Sequence, residues 1–151
     1  MWGLLRRIWR SKFAKRYHWR VLWLTHATFM CGITAVVHTD DGRYLLLRHR
    51  FWPDGRQWGF PTGYAKKGER HEDTITREVR EETGLKVEVG RLLKINSGYR
   101  LRIEVFYEAR LLDPLDALTL DNREILEAAL FTPSTLPNDF PPAHRSLLTL
   151  L

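Results

Sequence analysis

Residues 63–85 run GYAKKGERHEDTITREVREETGL. Glu69 follows Gly63 by six positions, and Arg77-Glu78-Val79, Glu81-Glu82 and Gly84-Leu85 complete the stretch. Ile75 and Val79 are one helical turn apart, which predicts a helix from about Asp73 to Thr83 with those two side chains facing a core. On that helix Glu78, Glu81 and Glu82 fall at i, i+3 and i+4 and share a face. Three carboxylates so close repel one another unless positive charge lies between them. A hard divalent cation with oxygen ligands suits that role. The plainer alternative is a solvated helix whose acids pair with Arg77 and Arg80. Gly84 stands where a left-handed helix end favours glycine.

This stretch resembles the Nudix box, whose pattern is G-x5-E-x7-R-E-U-x-E-E-x-G-U with U aliphatic. Gly63, Glu69, Arg77, Glu78, Val79, Glu81, Glu82, Gly84 and Leu85 fill its fixed positions. A merely charged helix accounts for the acids, but not for Gly63, Glu69, Gly84 and Leu85 at these spacings. The resemblance is close in the box and looser over about residues 29–150. It implies an α/β fold, an α-β-α sandwich with a mixed β-sheet. It also implies hydrolysis of a nucleoside diphosphate linked to some other group, with Mg2+ as cofactor and Mn2+ as its substitute. By carry-over, Glu78, Glu81 and Glu82 are metal ligands, with Glu82 the strongest. Gly63 joins them through its backbone carbonyl, and Glu69 either adds a ligand or holds Arg77. Arg77 orients the glutamates by charge-assisted hydrogen bonds. Arg77, Glu81 and Glu82 are thus the catalytic candidates within the box. One position departs from the common Pro-Gly-Gly entry: here it reads Pro61-Thr62-Gly63. If that site needs positive φ, Thr62 is strained there.

Candidates outside the box rest on weaker signals. The segment Asp121–Phe131 resembles a later family segment with acids ahead of an aromatic pair. Glu124 or Glu127 could hold the attacking water, and Glu124 is the catalytic candidate; both also read as ordinary solvent-facing acids. Arg48 and Arg50 are candidates for phosphate contacts, or plain strand-end charges. Trp52 could stack on a base, whereas Trp58 and Phe60 read as core. Asp139-Phe140-Pro141-Pro142-Ala143 resembles the C-terminal part of MutT-type enzymes that hydrolyse oxidised purine nucleoside triphosphates. His144 stands where those enzymes can carry a base-reading asparagine. No proline lies between Leu85 and Pro114, which weighs against the ADP-ribose subgroup; the NADH-type downstream signature is also missing. His49 and His71 form no ligand pattern. The reading from another class is a noncatalytic Nudix domain that binds a nucleotide or a protein.

The 151 residues suffice for one domain with a proper core. A single cysteine, Cys31, forms no internal disulfide, which fits a reducing cytoplasm. The net charge of +6 is uneven. Residues 1–39 hold seven basic side chains and no acid, so the remainder is close to neutral. Trp2, Leu5, Trp9 and Phe13 recur about one turn apart, with Arg6, Arg7 and Arg10 mostly off their stripe. Residues 1–20 therefore read as a basic amphipathic helix ahead of a domain at 21–151. Packing on the domain or on a second subunit, as in a homodimer, is the preferred role. Contact with a membrane surface or nucleic acid is less favoured. Basic residues interrupt this segment too often for a signal peptide.

Farther along, Phe29–Val37 and Tyr44–Arg48 read as strands around the Asp40-Asp41-Gly42 turn. Strands are also expected near Lys86–Val89, Leu92–Ile95 and Tyr99–Arg110, the last two joined at Asn96-Ser97-Gly98. Ile125–Phe131 is ambiguous between helix and strand, and Ala143–Leu151 reads as a short apolar helix.

Overall fold

The computed structural model describes residues 12–99, 101–120 and 123–151. The chain divides at Met30/Cys31 into two compact units. The first contains helix α1 (Lys12–Thr25), on which Trp19 and Trp23 are exposed. The amphipathic helix expected from Trp2 lies largely outside the described residues. Among the described residues no helix is long and apolar enough to cross a membrane.

The second unit is built on a seven-stranded mixed sheet: β1 (Met30–His38), β2 (Tyr44–His49), β3 (Trp58–Gly59), β4 (Thr62–Tyr64), β5 (Val87–Tyr99), β6 (Arg102–Leu111) and β7 (Ile125–Phe131). The main path runs β3-β2-β1-β6-β5, with β4 beside β1 and β7 beside β2. Helix α2 (His71–Thr83) joins β4 to β5, and a short α3 (Pro142–Arg145) follows β7.

Alternation along the two central strands creates the layers. Ile33, Ala35, Val37, Leu45 and Leu47 pack with Ile75 and Val79 of α2. Val36, Tyr44 and Leu46 point the other way, toward Phe106, Leu136, Phe140 and Leu147. Strands covered on both faces read as continuous apolar runs, as β1 and β2 do. The sheet is thus sandwiched between the box helix and the C-terminal segment.

Local chemistry sets the ends of α2. Glu72 and Asp73 lie in its first turn and Arg80 in its last, matching the helix dipole. Gly84 closes it at φ 73, its N–H bonded to the Arg80 carbonyl.

Several sequence expectations shift. The strands expected at Lys86–Val89 and Leu92–Ile95 are one strand, β5, whose register shifts between Val89 and Leu92, between Leu92 and Lys94, and between Asn96 and Tyr99. Asn96 stays paired with Glu104, so the reversal falls beyond Tyr99, where Leu101 adopts φ 57. Ile125–Phe131 is a strand because β2 offers it a full partner edge. Thr62 is not strained. It lies in β4, and its hydroxyl bonds Thr34 Oγ1 at 2.9 Å and donates to the Ile33 carbonyl at 3.1 Å. The C-terminal helix is short, ending at Arg145 before a 3-10 turn at Leu148–Leu150.

Candidate active site

Strand β4 and helix α2 bring Gly63 against Glu78. Gly63 pairs with Ile33 of β1, which fixes the strand. A Cβ on Gly63 would overlap the Glu78 carboxylate. The close approach therefore requires glycine here for space, not for backbone freedom.

Arg77 organises the acids around it. Its Nε donates to Glu69 Oε1 at 2.7 Å and its Nη2 to Glu69 Oε2 at 3.0 Å. Nη1 donates to Glu78 at 2.6 Å and to Glu81 at 3.2 Å, and Nη2 reaches the Tyr64 carbonyl at 3.2 Å. Glu69 also accepts from the Lys66 amide and the Thr74 hydroxyl. The Arg77 guanidinium, followed by the Lys66 amide, holds the Glu69 carboxyl down at about 2. Glu69 thus ties the loop to the helix. Its hydrogen-bonding capacity is spent on Arg77, Lys66 and Thr74.

Glu82 has the opposite environment. The residue is only 7% exposed, and Oε2 has no hydrogen-bond partner. Burial, then the charges of Glu78 and Glu124, push its carboxyl up to about 9. Burial also raises Glu78, against the pull of Arg77. A buried carboxylate with an unpartnered oxygen and acidic neighbours is costly on its own. Added positive charge would relieve it. The donor set fits a hard cation: oxygen ligands from Glu78, Glu81 and Glu82, with the Gly63 backbone alongside. Among the described residues no three acidic, histidine or cysteine side chains already converge at metal-binding distance. Arg77 supplies the positive charge between Glu78 and Glu81.

These groups line one open cleft of about 630 Å3, together with His49, Trp52, Thr62, Tyr64, Lys66, Arg102 and Glu124. Glu124 reaches it from the turn before β7, where its carbonyl accepts from the Arg50 amide at 2.8 Å. Glu127 faces Arg48 instead, at 3.9 Å. Trp52 stacks on His49, ring centroids 3.9 Å apart and planes 11° apart.

The structure does not bring every candidate here. Arg48 donates to Gln57 at 3.0 Å on the exposed side of β2. Neither it nor Arg50 is among the described cleft residues. His144 sits among Phe60, Phe106 and Phe140 and is not among the described cleft residues. Phe60 is core, as expected, and Trp58 is half-buried edge-on to Phe131. Sequence reasoning missed His49, Tyr64, Lys66 and Arg102 as cleft residues. Tyr64 and Lys66 were accessible from their place just after Gly63; Arg102 had no local signal.

Comparison with known proteins bears on the fold and the family. The family described as NUDIX domain matches residues 28–151. The NAD-capped RNA hydrolase NudC of Mycobacterium tuberculosis is 34% identical over 102 residues, covering 67% of this chain and 32% of that protein. The chain therefore spans about a third of that curated relative's length. A NUDIX hydrolase from Nitrosomonas europaea superposes with a TM-score of 0.71 at 23% identity, covering 82% of this chain and 69% of its own. A UDP-X diphosphatase superposes at 0.66 with 24% identity, covering 97% and 76%. At these identities the solved structures speak to the fold.

Proposed function

Because this chain belongs to the NUDIX family, we propose that it is a metal-dependent pyrophosphohydrolase acting on a nucleoside diphosphate linked to a further group. One observation carries the reading: Gly63, Glu78, Glu81, Glu82 and Glu124 line a single cleft, with an unpartnered, buried Glu82 oxygen among them. Glu78, Glu81, Glu82 and the Gly63 carbonyl would hold the cation, Mg2+ or Mn2+ in its place. When bound, such a cation neutralises phosphate oxygens and lowers the pKa of a coordinated water.

The remaining roles belong to the chain. Arg77 fixes Glu78 and Glu81, so the carboxylates meet the substrate already oriented. Glu69 acts as the anchor of Arg77 in this reading. Lys66 and Arg102 bring positive charge to the cleft wall, where the pyrophosphate oxygens would lie. Glu124 accepts a proton from the attacking water; its cleft position favours it over Glu127. Trp52 offers an aromatic wall for a base or another flat group. The NAD-capped RNA named for one relative and the UDP-linked compounds named for one structural neighbour share a pyrophosphate between two groups. We carry with this reading a cytoplasmic location, on the single cysteine. The N-terminal segment is assigned to self-association in preference to membrane or nucleic-acid contact.

The test is product release with Mg2+ across nucleoside triphosphates, oxidised purine triphosphates, ADP-ribose, NADH, nucleotide sugars and capped RNA. Turnover of one class, lost in Glu82→Gln with folding retained, is the expected result. Undiminished turnover in that variant removes Glu82 from the mechanism. Ligand binding without turnover across the panel would support the noncatalytic alternative.

A further inference from the structure

Arg102 is a wall common to two cavities. On one side lies the catalytic cleft. On the other is a smaller cavity of about 220 Å3, lined by Asn96, Ser97, Arg102 and Glu104. Strand geometry places Asn96, Arg102 and Glu104 together. Asn96 pairs directly with Glu104 across the β5–β6 hairpin, and cross-strand partners share a face. Arg102 is two residues from Glu104 on the same strand and so shares that face as well.

Arg102 is held at three points. Nη2 pairs with Glu104 Oε1 at 3.0 Å. The guanidinium lies over the Tyr64 ring, 5.4 Å from its centroid. A Cβ on Gly32 would stand 3.3 Å from Nη2, so the bare backbone of β1 gives the side chain its seat. Its Nε is buried and has no hydrogen-bond partner. Nε is thus turned toward that backbone, and the outer edge of a guanidinium seated this firmly is what the two cavities share.

The lining specifies which kind of ligand. Glu104 is an acceptor when ionised, Ser97 both donates and accepts, and Asn96 does both through its amide. Such a set matches a neutral group carrying several hydroxyls. It does not match a second anion, which the Glu104 carboxylate would repel. We propose that this cavity is a subsite for a sugar on the far side of the pyrophosphate, with Arg102 bridging sugar and diphosphate. The inference rests on the pyrophosphohydrolase reading and refines its substrate class. Diphosphates that end in a sugar are preferred over nucleoside triphosphates, whose terminal phosphate offers Glu104 no donors.

The test uses the full chain with Mg2+, comparing ADP-ribose with ATP. Wild type should turn over ADP-ribose with the higher kcat/KM. Glu104→Gln and Asn96→Ala should each raise KM for ADP-ribose by about tenfold, the effect of losing a hydrogen bond to a ligand. In both variants kcat should stay within twofold and melting curves should show a folded protein; KM for ATP should stay fixed in Asn96→Ala and should not rise in Glu104→Gln, which removes the repelling charge. Equal shifts for both substrates, or none, would overturn the subsite. Turnover of ATP alone would also overturn it while leaving the pyrophosphohydrolase reading intact. If wild type hydrolyses neither, the catalytic reading fails, and calorimetry with ADP-ribose and no metal decides the subsite separately. Binding weakened about tenfold in both variants supports it; binding that is absent, or equal in all three proteins, refutes it.

Discussion

The Cα of Gly63 faces Glu78 so closely that a side chain on it would occupy the space of the Glu78 carboxylate. The strand that presents the glycine and the helix that presents the acid are thereby locked at one spacing. Gly63→Ala must push Glu78 out of its bond to Arg77 Nη1. Displacing a positioned group by about 1 Å commonly costs about a hundredfold in rate. We expect kcat to fall by about that factor, with the melting temperature only modestly lower. Steady-state kinetics beside a thermal melt checks this. A kcat within threefold of wild type would mean that Glu78 has no role in the reaction.

Arg77 makes a two-point fork to Glu69 and further bonds to Glu78, Glu81 and the Tyr64 carbonyl. Lysine carries the charge but cannot reproduce a planar fork. Arg77→Lys should therefore lower kcat more than it changes KM, because the glutamates lose orientation rather than charge balance. The melting temperature should drop by about 5 °C, the range expected when a modest stabilising contribution is lost from a domain this size. A variant that melts like wild type with full kcat would reduce Arg77 to a surface charge.

The box was legible because its signal is local. Helical spacing alone puts three glutamates on one face, and the fixed glycines mark where strand and cap must fall. What was not legible depends on partners distant in sequence. Arg102 enters the cleft because β6 lies next to β1, which no spacing around Arg102 announces. Asn96-Ser97-Gly98 has the composition of a turn, yet Asn96 is paired across the hairpin to Glu104. The turn composition shows there as a register shift between Asn96 and Tyr99 within the hairpin rather than as its reversal. His144 has the place in sequence of a base-reading residue, but its ring is surrounded by Phe60, Phe106 and Phe140. Between Glu124 and Glu127, three positions decide which acid faces the cleft and which faces Arg48.

His49 should give the fold a pH dependence. Its residue is 6% exposed, and burial lowers its pKa to about 4, while a hydrogen bond to the Phe60 backbone opposes the shift. The folded state therefore keeps the ring neutral where the unfolded chain would already protonate. Its contribution is fully present above the ordinary pKa near 6.5 and is lost as pH falls toward 4. The loss should reach about 3 kcal/mol by the linkage relation, as an upper bound. Glu82, Glu124 and Arg102 are ionisable side chains that line the same cleft. The comparison must therefore be with His49→Gln rather than with wild type alone. Urea unfolding at pH 7.5, 5.5 and 4.5 should show the wild-type advantage over the variant shrinking as pH falls. A constant gap across that range would show that the ring is not held neutral.

Glu82 sets function against stability. A glutamate 7% exposed, with one oxygen unpartnered and Glu78 and Glu124 nearby, burdens the metal-free fold. Replacing it with glutamine keeps the shape and removes the ionisable group. Without added metal, Glu82→Gln should therefore melt at or above the wild-type temperature. A ligand that binds the folded state alone stabilises it by mass action, by about 2.7 kcal/mol at a hundred times its Kd. Millimolar Mg2+ should then raise the melting temperature of wild type by several degrees and leave Glu82→Gln unmoved. Mn2+ should act in the same direction on wild type. Because this readout needs no substrate, it tests the cation site even if the right nucleotide is missing from an activity panel. Equal Mg2+ shifts in both proteins would place the cation elsewhere, and no shift in either would remove the metal from the resting protein.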